Sequence, residues 1–543
     1  MSAAFRPPQE RIVSVPPKNG NSFGGGILGK ITPEQANRLE KLTFPFRWGK
    51  IVFEREIGAT RAGCFTPCPA TSEGTVFTMR KLHFPSGLSL LCLLAAAFCG
   101  TAGFAPPLAA EQPTHSAVTP QNRDIPRYHQ QLERLERGDV DVLMVGDSIT
   151  HLWESVGRDV WERFYGSRKV MNFGVDGDRT GQTLWRIEHS PMDKISPKLV
   201  VMMIGTNNVG SFENTPQETA EGVEKLVDTF LGLYPETKIL LLDIFPRGAT
   251  ADDKRREAVD ATNLLLRAAY GDGQVDRVTM LDLSPLFLTG EGILPAELMP
   301  DFLHPNAAGY ELWAAAMEPA IASALGETPI SSVPASLENL DWWNQRYQDD
   351  LALIENGEFD LVFIGDSITN GWDHVGKQMW EKYYGDKRAV NLGIGGDCTQ
   401  HLLWRIDHMP MERIHPKGIF LLIGVNNVAS GQDAPQVALG IRRVVEALRA
   451  KCPEAKIVVE KVFPWGMPEE RAAKQDRIDA VNRMIEPVLL GLEGVEVIDI
   501  CDRFLDARGN LTPTMMQDGV HPGPLGYDIW GNALDGIVQE MLR

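Results

Sequence analysis

At 543 residues the chain has room for three domains, and its 43% hydrophobic and 23% charged residues are those of an ordinary soluble globular protein. Residues 1–110 hold 12 Lys/Arg against 6 Asp/Glu, so the net charge of −19 leaves −25 on residues 111–543. So acidic a body repels phosphate backbones and anionic membrane surfaces, which excludes nucleic acid as an expected partner.

Residues 1–78 are rich in Gly and Pro and lack sustained periodicity. They read as an extension outside the natural product or without fixed structure. Gly24 through Gly29-Lys30 begins like a phosphate-binding loop, but Ile31 stands where Ser or Thr must hold magnesium, so the motif fails. Residues 79–110 have the make-up of an export signal: charged Met79-Arg80-Lys81, a largely apolar run of 11 residues from Leu88 to Phe98, and small residues ending at Ala110. A spanning helix needs ~20 apolar residues, so a cleaved signal peptide is expected rather than an anchor. Translation is then expected to start at Met79, with the cut after Ala102 or after Ala110. The remainder is expected to be secreted or periplasmic, without stable membrane insertion.

That remainder repeats itself. Gly146-Asp147-Ser148-Ile149-Thr150 recurs as Gly365-Asp366-Ser367-Ile368-Thr369, an offset of 219 residues. Leu184-Trp185-Arg186-Ile187 and Asn207-Asn208 recur at the same offset, and Asp301 with His304 recurs as Asp518 with His521. So long a period is a domain duplication, not a solenoid. The expected domains are 120–326 and 338–543, joined by a Pro- and Ser-bearing linker, 327–337.

In the first copy, apolar runs at Val140–Val145, Val170–Phe173, Leu199–Ile204, Ile239–Ile244 and Val278–Leu283 alternate with amphipathic stretches such as Gln217–Leu233 and Asp253–Ala269. The second copy gives Phe359–Ile364, Val390–Leu392, Ile419–Ile423, Ile457–Val462 and Val495–Ile500. Continuous apolar runs separated by helices predict parallel strands covered on both faces. Each copy is therefore predicted to be a three-layer α/β/α domain with a parallel sheet of about five strands.

Ser148 and Ser367 each follow a strand and a Gly-Asp pair, at the strand edge where open α/β sheets place their sites. Serine is a poor nucleophile without a base. Asp301-Phe302-Leu303-His304-Pro305 and Asp518-Gly519-Val520-His521-Pro522 supply one in each copy, with an Asp three residues earlier to orient the imidazole. A single His is more often structural, but the same motif arising twice in register points to catalysis. Gly177 and Gly396, after the second strand, and Asn207 and Asn426, after the third, are the candidate oxyanion donors. Turn and capping chemistry explains each of these alone, though not their shared order in both copies. Cys398, Cys452 and Cys501 have no metal-ligand spacing, so no zinc site is expected, and a disulfide among them is left open. Trp153 and Trp372, close after the serines, suit either an acyl pocket or the core.

Gly-Asp-Ser, Gly-Gly-Asp, Gly-Thr-Asn-Asn and Asp-x-x-His-Pro together resemble the four blocks of the SGNH (GDSL-type) hydrolases. Asn172-Phe173-Gly174 and Leu184-Trp185-Arg186 resemble the platelet-activating-factor acetylhydrolase branch in particular. The resemblance spans roughly residues 125–325 and 340–543. It implies two flavodoxin-like domains and metal-free, cofactor-free hydrolysis of carboxylic esters. It also implies the triads Ser148–His304–Asp301 and Ser367–His521–Asp518, with Gly177/Asn207 and Gly396/Asn426 completing the oxyanion holes. Two departures stand out. Asp176 replaces the glycine found at Gly395, beside the oxyanion glycine, and Val425 replaces the threonine found at Thr206. A carboxylate there is expected to slow the first domain.

Export and small compact domains suit soluble polymeric substrates, so an exported esterase acting on short-chain, chiefly acetyl, esters of carbohydrates is expected, its substrate a small-molecule or glycan ester. A lysophospholipase or other short-acyl lipid esterase is the alternative, weakened by the lack of a long amphipathic lid. A non-catalytic carbohydrate-binding pair is the alternative of another class, and two intact triads argue against it.

Overall fold

The computed structural model describes residues 114–466 and 471–543; the extension 1–78 and the export segment 79–110 lie outside the described residues. The first domain carries β1 (Val142–Gly146), β2 (Val170–Asn172), β3 (Leu199–Met203), β4 (Lys238–Leu242) and β5 (Val278–Leu281). Every neighbour pair is parallel, in the order β2-β1-β3-β4-β5. The second carries β6 (Leu361–Gly365), β7 (Ala389–Gly393), β8 (Gly418–Leu422), β9 (Lys456–Glu460) and β10 (Val495–Ile498). Its order, read from the matching edge, is β7-β6-β8-β9-β10, also all parallel. All ten strands coincide with the expected apolar runs, several ending one or two residues earlier because the chain turns away from the ladder before the apolar residues stop.

Strand periodicity divides each run between two helical layers. Val142, Met144, Val201, Met203, Leu240 and Leu242 face Trp153, Phe164 and Trp313, on the side of the helices Arg158–Tyr165 and Ala307–Leu325. Leu143, Val145, Val200, Met202, Ile239 and Leu241 face Leu184, Val223, Leu226 and Leu266, from the helices Thr180–Glu188, Pro216–Leu233 and Lys254–Tyr270. Burying each such side chain contributes ~1.5–3 kcal/mol, which is why strands buried on both faces read as unbroken apolar runs.

Helix Ala307–Leu325 ends at Gly326, whose φ of +71° is a left-handed cap. The stretch 327–337 then lies against the second domain. Ser331 is buried, its carbonyl accepts from Thr399 Oγ1 at 2.7 Å, and Ala335 N donates to the Gln400 carbonyl at 3.0 Å. Residues 115–121 serve the first domain alike: the Ala117 carbonyl accepts from Thr180 Oγ1 at 2.8 Å, and Gln121 N donates to the Gly181 carbonyl at 3.0 Å. Prolines in such a strap cost nothing, because they sit where no N–H is needed. Helix Ala307–Leu325 also packs on the helices Ala434–Lys451 and Arg471–Leu489, so one apolar core continues from the first domain into the second. Among the described residues no helix is long and apolar enough to cross a membrane.

Candidate active sites

The order β2-β1-β3 means the chain leaves β1 for one neighbour and later returns to the other side of it. Ligands bind at that reversal, outside the carboxyl ends of the strands. Ser148 opens the short helix Ser148–His151 directly after β1, and Ser367 opens Ser367–Asn370 after β6. Asp147 caps the first of these helices by accepting from Ile149 N at 3.0 Å, and Asp366 caps the second by accepting from Ile368 N at 3.0 Å. Burial pushes both carboxyls up to about 7, the cap bond only partly opposing it. The last helix of each domain locks the serine turn from behind: Tyr310 OH donates to the Ile149 carbonyl at 2.6 Å and Tyr527 OH to the Ile368 carbonyl at 2.7 Å.

The histidines come from the turn before that last helix. Ser148 Oγ lies 2.9 Å from His304 Nε2, and His304 Nδ1 lies 2.7 Å from Asp301 Oδ2. In the second domain Ser367 Oγ is 2.8 Å from His521 Nε2, and His521 Nδ1 is 2.7 Å from Asp518 Oδ2. The other oxygen of each aspartate accepts backbone N–H groups: Asp301 Oδ1 from His304 N at 2.7 Å and Asp518 Oδ1 from His521 N at 2.8 Å. Partial burial raises both carboxyls, but these backbone and ring bonds outweigh it and hold them below the usual carboxylate range. A carboxylate so held stays ionised and orients the imidazole beside it. Asp–x–x–His thus closes on itself, which is why three-residue spacing suffices.

Gly177 and Gly396 both have φ of +76° and are exposed on the loops after β2 and β7. That left-handed conformation favours glycine. Asn207 and Asn426 follow β3 and β8, and their Nδ2 atoms donate to the carbonyls of Asp178 at 3.0 Å and Asp397 at 2.9 Å. An amide group carries two N–H donors, so one remains for a substrate oxyanion. All ten expected site residues therefore gather at two strand edges, one set per domain. Trp153 and Trp372 do not join them. Both are fully buried, Trp153 against Tyr310 and Trp313, Trp372 against Tyr527 and Trp530.

The sequence reading does not single out the buried aspartate beside each candidate oxyanion glycine. Asp178 is buried and accepts from Arg186 Nε at 2.7 Å and Arg123 Nε at 2.8 Å. Asp397 is matched, accepting from Arg405 Nε at 2.8 Å and Trp343 Nε1 at 2.7 Å. Both Asp and Arg recur at the repeat offset, which was the available signal. The change from Thr206 to Val425 also has a local cause. In the first domain buried Arg247 donates to Thr206 Oγ1 at 3.1 Å, and a β-carbon on Gly210 would meet its Nη1 at 2.0 Å. At the offset from Gly210, the second domain carries Ala429. Cys398, Cys452 and Cys501 are free thiols.

The pattern that defines the GDSL-like lipase/acylhydrolase family matches residues 144–312 and again 363–529, more than half of the chain, so the chain belongs to that family. It is a carboxylic ester hydrolase built from two such domains in tandem. Among its relatives, platelet-activating factor acetylhydrolase IB subunit alpha1 of Homo sapiens is 29% identical over 40% of this chain and 93% of that protein. Subunit alpha2 of Rattus norvegicus is 33% identical over 35% of this chain and 79% of that protein. A catalytic mutant of an acetylxylan esterase from Geobacillus stearothermophilus is a structural neighbour at 21% identity, with a TM-score of 0.28, covering 34% of this chain and 95% of that one.

Proposed function

We propose that the protein is an exported esterase that removes short acyl groups, acetyl above all, from carbohydrates, using Ser148 and Ser367 as nucleophiles. The observation that carries the catalytic assignment is the hydrogen-bonded Ser–His–Asp chain found twice, every link between 2.7 and 2.9 Å. The imidazole takes the serine proton as Oγ attacks the ester carbonyl, and the aspartate stabilises the charge that forms. The developing oxyanion is received by the serine N–H, the Gly177 or Gly396 N–H and the Asn207 or Asn426 amide. The imidazole then passes its proton to the leaving alcohol. Water, activated by the same imidazole, releases the acid and restores the serine.

The carbohydrate reading is supported by the exposed glycines Gly177 and Gly396 on the loops beside each serine and by the acidic body, which disfavours anionic lipid surfaces. A short-acyl lipid ester is the second reading, favoured because the relatives named above are platelet-activating factor acetylhydrolase subunits. The full chain carrying Ser148→Ala and Ser367→Ala together should lose at least ~10³-fold in esterase rate while keeping its fold, and each single variant should keep part of it. Acetate release from acetylated xylan against acyl release from lysophosphatidylcholine separates the two substrate readings. A double variant that still hydrolyses ethyl acetate at the unsubstituted rate refutes the nucleophile assignment.

A further inference from the structure

The two sites differ at a position the triads do not involve. Arg123 and Trp342 share the 219-residue offset. In the first domain Arg123 is engaged by its own loop, donating to Asp178 Oδ1 at 2.8 Å and to the Asp176 carbonyl. In the second domain Trp343 takes over the bond to the buried aspartate at 2.7 Å, and Trp342 turns outward with 57% of its surface exposed. Leaving that much indole in water is unfavourable, so the position calls for a reason.

Its ring overhangs the loop that bears the oxyanion glycine. A β-carbon on Gly396 would lie 3.8 Å from Trp342 Cη2, and one on Gly395 would lie 3.9 Å from Trp342 Cζ3 and 3.9 Å from Ser367 Cβ. The indole and the nucleophile are therefore separated by little more than one glycine. A group carrying an ester held at Ser367 is within reach of this ring. At Gly395 the floor between them is bare, whereas the first domain puts Asp176 there.

We propose that Trp342 is the platform on which the sugar ring bearing the scissile ester stacks at the second site, making that site selective for neutral glycan esters. This inference rests on the carbohydrate-esterase reading above. A single aromatic face open to water suits a pyranose, whose C–H face is apolar and whose hydroxyls stay hydrated. An acyl chain is apolar all round and needs an enclosed channel instead. The first site, with Arg123 in place of the indole, has no such platform.

Two measurements on the full chain test this. In the Ser148→Ala, Ser367→Ala background, which binds without turnover, titration calorimetry with xylohexaose and cellohexaose should show Trp342→Ala weakening binding at least about tenfold, with Trp342→Tyr within about threefold of the parent. In the Ser148→Ala background, where only the second site turns over, Trp342→Ala should lower kcat/KM for acetylated xylo-oligosaccharide about tenfold relative to ethyl acetate, through KM. Equal losses on both esters, sugar binding indifferent to Trp342, or Trp342→Leu performing as well as Trp342→Tyr would overturn the proposal. If sugar binding depends on Trp342 while the Ser148→Ala chain hydrolyses neither ester, the platform stands and the nucleophilic role of Ser367 fails.

Discussion

Glu460 ends β9 inside the second domain, 2% exposed, at the strand position that Leu242 holds at the end of β4. Its Oε2 accepts from Trp530 Nε1 at 2.6 Å, and burial pushes the carboxyl from 4.5 up to about 8. In the folded chain it therefore keeps its proton at neutral pH, while the unfolded chain ionises near 4.5. The native state then binds more protons than the unfolded one, so this group's contribution to stability falls as pH rises from about 4.5 to about 8 and is flat beyond. At about 1.4 kcal/mol per pH unit, the cost at pH 7 is on the order of 3 kcal/mol. Glu460→Leu removes that cost but strips Trp530 Nε1 of its acceptor, a loss of ~1–3 kcal/mol. The first domain already tolerates the result: beside Leu242, Trp313 Nε1 is buried without a hydrogen-bond partner. Glu460→Leu should thus stabilise the second domain by up to about 2 kcal/mol at pH 7 and destabilise it by ~1–3 kcal/mol near pH 4.5. Urea unfolding of the full chain at pH 5 and pH 8, at fixed ionic strength, reads the difference. The same difference at both values would refute the reasoning.

Asp176 is exposed, so its charge acts on the first site mostly through water. Asp176→Gly should raise kcat/KM for ethyl acetate at the first site, measured with Ser367→Ala present, by at most about fivefold. A gain of a hundredfold would show a poorly screened carboxylate instead. Arg405 is fully buried and also donates to the Leu392 carbonyl at 2.8 Å, so Arg405→Met should cost ~3–5 kcal/mol by leaving Asp397 without its cation. Thermal unfolding checks this, and an unchanged midpoint for the second domain would contradict it. N-terminal sequencing of exported protein should find the chain starting near residue 103 or 111. Recovery of residues 1–78 in that material would refute the export reading.

Much of the fold and of both sites is legible in the amino-acid sequence. Parallel strands buried on both faces must be apolar throughout, so the ten strands stand out as unbroken runs. The duplication shows which residues recur, so Ser, Asp and His pair by offset alone. What the sequence does not convey is direction. From the sequence, Trp153 and Trp372 suit either an acyl pocket or the core, and the structure puts both in the core. Trp342 and Trp343 are adjacent and chemically identical, yet the helix sends one to the buried Asp397 and the other into solvent over the active loop. Residues 327–337 have a linker's composition, and their docking depends on partners some seventy residues onward, such as Thr399. Periodicity and motif spacing are local properties of the chain and determined the fold class and the triads. Which neighbour a side chain meets depends on how distant segments close on one another, and only the tertiary structure decided that.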